Sequence, residues 1–166
     1  KKSMRDHTRM ATCVRFSPTG DLVASCATDK KIVVYDGKTG EKQREWEGHK
    51  AGIYGLSWSP DGKSFVTCSA DKTAAVWEAA TGKELARYSF GLPKPTTSHQ
   101  QLSCVWAGDA ILTVNLEGEI SYFNGKDFSA TEPTRFVTGH NKSLTALCVA
   151  DGTIYSGSYD GKVVSW

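Results

Sequence analysis

A chain of 166 residues that is 39% hydrophobic and 23% charged can bury a core and is too apolar for a disordered segment. Its 20 Lys and Arg against 18 Asp and Glu leave a formal charge of +2, scattered rather than gathered on one stretch, so nucleic acid is not an expected partner. No apolar run approaches a membrane span and no secretory n-region and h-region opens the chain, so no membrane partner is expected and a cytoplasmic setting is.

Five cysteines, Cys13, Cys26, Cys68, Cys104 and Cys148, each fall inside a strand-like apolar run, and none forms a CxxC pair. They are expected to be small buried hydrophobes, free rather than disulfide-bonded.

In chain order, the first patterned stretch is "DHTRMATCVRFSPTGDLVASCATDKKIVVY", which starts at Asp6. It returns as "GHKAGIYGLSWSPDGKSFVTCSADKTAAVW", ending at Trp77. His7 and His49, Pro18 and Pro60, Gly20 and Gly62, Asp29 and Asp71, and Tyr35 and Trp77 all stand 42 residues apart. Five matches at one offset mark an internal repeat. A third, worn copy, "HQQLSCVWAGDAILTVNLEGEISYF", has lost the Gly-His, and Asn115 takes the place of its serine. A last copy, "GHNKSLTALCVADGTIYSGSYDGKVVSW", restores the pattern with His140, Asp160 and Trp166.

Each copy reads as short strands rich in β-branched and aromatic residues, parted by turns such as Pro60-Asp61-Gly62. A further strand fits just before each Gly-His, "EKQREWE" ahead of His49 and "PTRFVTG" ahead of His140. No segment shows capped helical periodicity. The expectation is an all-β chain of about four four-stranded antiparallel repeats, at 1–36, 41–78, 83–124 and 134–166, each near forty residues long.

That period and those residues resemble the WD-repeat β-propellers. The resemblance covers residues 6–166 and implies blades of a larger, seven-bladed ring. It also implies a hydrogen-bonded His, Ser/Thr, Asp and Trp tetrad in each blade. Carried over, this gives His49, Ser69, Asp71 and Trp77 in the second repeat and His140, Ser158, Asp160 and Trp166 in the last. The first repeat keeps His7 and Asp29, with Ala27 at the serine position and Tyr35 at the tryptophan; the worn repeat keeps no tetrad. The chemistry is self-consistent, because imidazole, hydroxyl, carboxylate and indole can satisfy one another in a buried setting.

Three sharper readings are set aside. A Ser-His-Asp catalytic triad is not expected to recur once per repeat, so no catalytic residue and no enzyme is predicted. No metal is expected, since neither repeat histidine has a second His or Cys at ligand spacing. Gly157-Ser-Tyr-Asp-Gly161-Lys162 has too few residues between its glycines for a phosphate loop and joins two strands, so it is a hairpin turn. No cofactor is expected.

The stretch "YDGKTGEK" and the worn repeat, with Gln100-Gln101-Leu102, Trp106 and the run "LEGEISY", are less generic, and "GHNKSLTAL" follows in place. These stretches resemble the actin-interacting protein 1 family. That resemblance implies a partial segment of a protein that binds cofilin-decorated actin filaments and promotes their disassembly. The implied setting is the actin cytoskeleton, with the remaining propeller blades of the same parent protein as a further partner. The alternative is a generic WD-repeat scaffold, for example a ubiquitin-ligase substrate receptor. Propeller faces bind through their loops, which makes Arg9, Met10, Lys142 and Tyr159 the candidate partner-binding residues. The Pro- and Thr-containing segment 91–98 is expected to be a long, extended inter-repeat connection.

Overall fold

The computed structural model describes residues 3–90 and 94–166, and within them the chain is all-β apart from one short 3-10 turn, Thr97–His99. The first sheet holds β1 (Ala11–Phe16), β2 (Leu22–Ala27), β3 (Lys31–Asp36) and β4 (Lys42–Glu47), hydrogen-bonded in that order. The second holds β5 (Ile53–Trp58), β6 (Ser64–Ser69), β7 (Ala74–Glu78) and β8 (Glu84–Tyr88) in the same up-and-down order. The third holds β9 (Gln101–Ala107), β10 (Ala110–Asn115), β11 (Glu119–Asn124) and β12 (Arg135–Thr138). The fourth has three strands, β13 (Leu144–Ala150), β14 (Thr153–Ser158) and β15 (Val163–Ser165). All pairings are antiparallel.

The sheets stack face to face as propeller blades. Inner strand β1 packs on β5, β5 on β9 and β9 on β13. One apolar layer fills each gap. Ile32, Val34, Leu56, Phe65 and Trp77 lie between the first and second blades. Val66, Tyr88, Ile111 and Phe123 lie between the second and third, and Leu112, Ile120 and Leu144 between the third and fourth. The burial follows from strand geometry, since a strand covered on both faces reads as an unbroken apolar run: "KIVVYD" in β3 is buried at its four central residues. The two terminal blades have no such cover on their outward faces. Phe16 is 63% exposed on the first and Val163 77% exposed on the last.

Blade and repeat are out of step by one strand. The segment "EKQREWE", expected as the fourth strand of the second repeat, supplies β4, which pairs with β3 of the preceding blade. In the same way β12, just ahead of His140, pairs with β11. This is why the last blade shows three strands. An outer strand at the very start is not seen: Ser3 and Met4 are not in a strand, and Lys1 and Lys2 lie outside the described residues. Of the cysteines, Cys26, Cys68 and Cys104 are buried and free, whereas Cys13 is only half-buried and Cys148 is exposed. Cys148 sits on the outward face of the last blade, where its strand alternation turns it away from the core.

The Gly of each Gly-His pair has a packing reason. A Cβ on Gly48 would come within 2.5 Å of the Ile32 Cδ1 and 3.3 Å of the Trp77 ring. One on Gly139 would come within 2.2 Å of the Trp166 ring. Gly48→Ala is expected to cost about 1–3 kcal/mol through overpacking. Gly157→Ala, whose Cβ would meet only Ala146 at 3.8 Å, is expected to change stability by no more than about 0.5 kcal/mol. Urea unfolding of the two variants side by side measures the difference.

Candidate functional site

The polar cluster of the second blade is built from four elements. His49 leads into β5, Thr67 lies on β6, Asp71 sits in the turn to β7 and Trp77 lies on β7. The indole Nε1–H of Trp77 donates to Thr67 Oγ1 at 2.8 Å, and His49 Nε2 lies 2.8 Å from the same hydroxyl. His49 Nδ1 faces Asp71 Oδ2 at 2.9 Å. With the imidazole proton on Nδ1, donation runs one way, from indole to hydroxyl to Nε2 and from Nδ1 to carboxylate. Asp71 also accepts from the backbone N–H of Lys50 and Thr73 at 2.9 and 3.0 Å and from Thr73 Oγ1 at 2.6 Å. The carboxylate therefore stitches the start of one strand to the turn between two others.

The hydroxyl in this cluster is Thr67, not Ser69 as the sequence suggested. Trp77 pairs with Phe65 in the β6–β7 hairpin. Thr67 is two residues further along β6, about 7 Å away, within reach of an indole, while Ser69 is four residues along, about 13 Å away. Ser69 has a different task. Its hydroxyl donates to the Gly52 carbonyl at 2.9 Å and accepts from the Asp71 N–H at 3.0 Å, which closes the turn that holds the carboxylate.

The last blade repeats both corrections. Ser156 rather than Ser158 takes the Trp166 Nε1–H at 2.8 Å and faces His140 Nε2 at 2.7 Å, while His140 Nδ1 faces Asp160 at 3.2 Å. Ser158 instead donates to the Lys142 carbonyl and accepts from the Asp160 N–H. In the first blade Ala27 is not the relevant position. Ser25 lies 2.7 Å from His7 Nε2 and His7 Nδ1 lies 3.2 Å from Asp29, with Tyr35 paired to Val23 in the β2–β3 hairpin. The signal for these hydroxyls was present in the sequence. Each hairpin is centred on its aspartate, so the register follows, and the hydroxyl two residues in from the aromatic's partner is the one in reach.

The electrostatics are alike in all three blades. Burial works to raise the Asp71 carboxyl, but the His49 imidazole, Thr73 hydroxyl and Lys50 amide outweigh it and hold the group well below the usual carboxylate range. For Asp160 burial is likewise outweighed, by the Lys162 and Asn141 amides and by His140, which bring it down to about 2. For Asp29 the Lys31 and Thr8 amides and His7 do the same.

Sequence reading missed Arg87 of β8. Its guanidinium donates to Thr73 Oγ1 at 3.0 Å and to the Gly48 carbonyl at 2.9 Å, pairs with Glu84, and lies 5.7 Å from the centre of the Trp77 ring. The worn third blade has none of this. Thr113 and Phe123 stand where Thr67 and Trp77 stand in the second blade, and Thr113 Oγ1 is buried without a partner. Among the described residues no group of three His, Cys, Asp or Glu is placed to hold a metal.

The candidate partner-binding residues divide. Met10, 66% exposed, and Tyr159, 74% exposed, line one concavity at the mouth of the four inner strands, together with Tyr54, Leu102 and Leu144. Arg9 and Lys142 are exposed but do not line it. Within the segment 91–98, residues 91–93, including Pro93, lie outside the described residues. The remainder carries the Pro95 carbonyl that accepts from Lys72 Nζ at 2.6 Å and enters the 3-10 turn.

The sequence matches the WD domain, G-beta repeat family over residues 1–36, 40–78 and 131–166. The chain belongs to the WD-repeat family. The gap between the matched segments is the worn repeat, which in this WD-repeat chain keeps the blade and loses the tetrad. Among curated relatives, Actin-interacting protein 1 of Drosophila melanogaster is 41% identical over 170 residues, covering 100% of this chain and 27% of its own length. The 66 kDa stress protein of Physarum polycephalum is 46% identical over 172 residues, covering 100% and 28%. The chain thus spans little more than a quarter of the length of these relatives. Of solved structures, the WD40 repeats of RRP9 superpose with a TM-score of 0.85 at 19% identity, over 98% of this chain and 49% of that one, a likeness of fold.

Thr67→Val keeps the shape of the side chain but strands the Trp77 N–H and the His49 Nε2. It is expected to lower stability by about 2 kcal/mol, read from urea unfolding followed by tryptophan fluorescence. The aspartates set the pH dependence. Their folded pKa values lie below the ordinary 3.8, so the stability they supply is fully present above about pH 4 and is lost as the pH falls through the folded values. Unfolding free energy should fall as the pH is lowered from about 4 toward 2, and Asp71→Asn should flatten part of that fall in urea titrations across the range.

Proposed function

We propose that this chain is a non-enzymatic interaction module of an actin-regulatory WD-repeat protein, one that binds cofilin-decorated actin filaments and promotes their disassembly in the cytoplasmic actin cytoskeleton. The observation that carries the reading is similarity to Actin-interacting protein 1 along the whole chain, worn repeat included. A relative sharing only the general WD pattern would not be expected to match across the one repeat that has lost it.

Two features of the surface support the reading. Met10 and Tyr159 bring exposed apolar side chains to one concavity, as interface centres favour. The outward faces of the terminal blades carry Val14 and Phe16 on one side and Tyr155 and Val163 on the other. Apolar faces of that kind are covered in a propeller by further blades, which is the role assigned to the remaining blades of the parent protein. A ubiquitin-ligase substrate receptor is the weaker reading, because a phosphate-reading face would gather several arginines, and of the candidate surface residues only Arg9 is one.

Co-sedimentation with actin filaments, bare and cofilin-decorated, tests the proposal. Pelleting that depends on cofilin is expected, weakened at least about tenfold when Met10 and Tyr159 are both changed to Ala, the scale of loss typical of hot-spot residues. Equal pelleting with bare and decorated filaments, from a chain shown to be folded, would overturn it.

A further inference from the structure

The worn third blade encloses a cavity of about 310 Å³ where the second blade holds its polar cluster. Strand register makes the two places equivalent. Thr67 pairs with Ala75 and Ala75 with Arg87 in the second blade; Thr113 pairs with Ser121 and Ser121 with Phe136 in the third. Arg87 and Phe136 therefore occupy matching positions on the outer strands. In the second blade the His49 imidazole and the Arg87 guanidinium reach into the matching place from within the chain, where with Asp71 and Thr73 they line a more open concavity. In the third blade no histidine among the described residues bridges to the β10–β11 turn, Phe136 stands in place of the arginine, and His99, tied to Thr96 through its Nδ1, lies on the cavity wall.

The walls carry acceptors that are not fully used. Gln101 is 2% exposed and lines the cavity; its amide nitrogen donates to the His99 carbonyl at 2.9 Å, and its Oε1 has no partner. Glu119 replaces Thr73 in the register and brings a carboxylate to the same wall. One of its oxygens accepts from Asn115 Nδ2 at 2.8 Å, while Asn115 Oδ1 takes the Glu117 and Glu119 amides, so the carboxylate is held in place with an oxygen to spare among the described residues. The Ser121 hydroxyl and the His99 imidazole add further polar groups, and the Phe90 and Phe136 rings complete the lining, Phe136 being 53% exposed at the mouth. A buried acceptor without a donor is costly to leave unmade. Carboxylate and amide oxygens beside aromatic rings select a planar cation rich in N–H groups.

We propose that this cavity is a binding site for the guanidinium group of an arginine side chain presented by a partner protein. The guanidinium donates to Gln101 Oε1 and Glu119 and lies against an aromatic ring, as Arg87 does against Trp77 inside the second blade. Lysine fits less well, because a compact ammonium cannot bridge both oxygens in one plane.

The test is a titration of the 166-residue chain with Nα-acetyl-arginine amide, following the side-chain NMR signals of Phe136 and His99. Ethylguanidine serves as the free-cation arm, and Nα-acetyl-citrulline amide as the neutral isostere. Saturable shifts are expected with acetyl-arginine amide, with ethylguanidine binding more weakly for want of the backbone that a protein ligand supplies, and none with citrulline amide. Glu119→Gln should weaken binding at least about tenfold, the scale of a lost charge-assisted bond. If circular dichroism shows that variant unfolded, Phe136→Ala, a change at an exposed position, should weaken binding several-fold. Binding of citrulline amide equal to that of arginine amide, no saturable shift, or undiminished binding by a folded Glu119→Gln or Phe136→Ala would each overturn the proposal.

Discussion

A buried imidazole held between a carboxylate and a hydroxyl sets the frame of each intact blade. It joins chain segments that are remote in sequence, the approach to the inner strand and the hairpin of the next two strands, and it does so where water is excluded. The constraint is geometric before it is energetic. The glycine before His49 and before His140 is needed because Ile32 and Trp77 crowd the place of a Cβ on Gly48, and the Trp166 indole occupies that place on Gly139. In the second and last blades the serine two residues before the aspartate closes the turn that aims the carboxylate. Each bond is worth about 1 kcal/mol net, but none can be removed alone without leaving a buried partner unsatisfied.

Much of the fold was legible. Repeats at a constant offset, turn residues and short β-branched runs led to the strands of each blade, and the His and Asp of the three clusters, with Trp77 and Trp166 in two of them, meet as the pattern suggested. What misled was the choice of hydroxyl. Ser69 and Ser158 carry the family pattern, and a motif read as a string does not say which of two hydroxyls on one strand face meets the indole; register decides it, in favour of Thr67 and Ser156. Arg87 and the third-blade cavity were out of reach for a different reason. Both depend on an outer strand whose distance in sequence from its partners varies, with a short turn before β8 and a long loop before β12.

The third blade also shows how little of the cluster a blade requires once its neighbours are in place. Phe123 stacks on Tyr88 with ring centres 4.1 Å apart and packs edge-on to Phe90, so apolar contact across the gap replaces the hydrogen bonds lost within the blade. Thr113 stands at the Thr67 position as a buried hydroxyl without a partner.

The one-strand offset between repeat and blade bears on how such chains are made and copied. On a ribosome a blade cannot be completed when its own repeat has emerged; it waits for the first strand of the next, as the β3 edge waits for β4. Nascent blades therefore carry an open edge for the time it takes to synthesise roughly one connection and one strand, a period of about a second at ordinary translation rates. The same offset makes duplication benign. A copied unit brings a strand for the blade before it and leaves an edge for the unit after it, so a lengthened array pairs without any new joint.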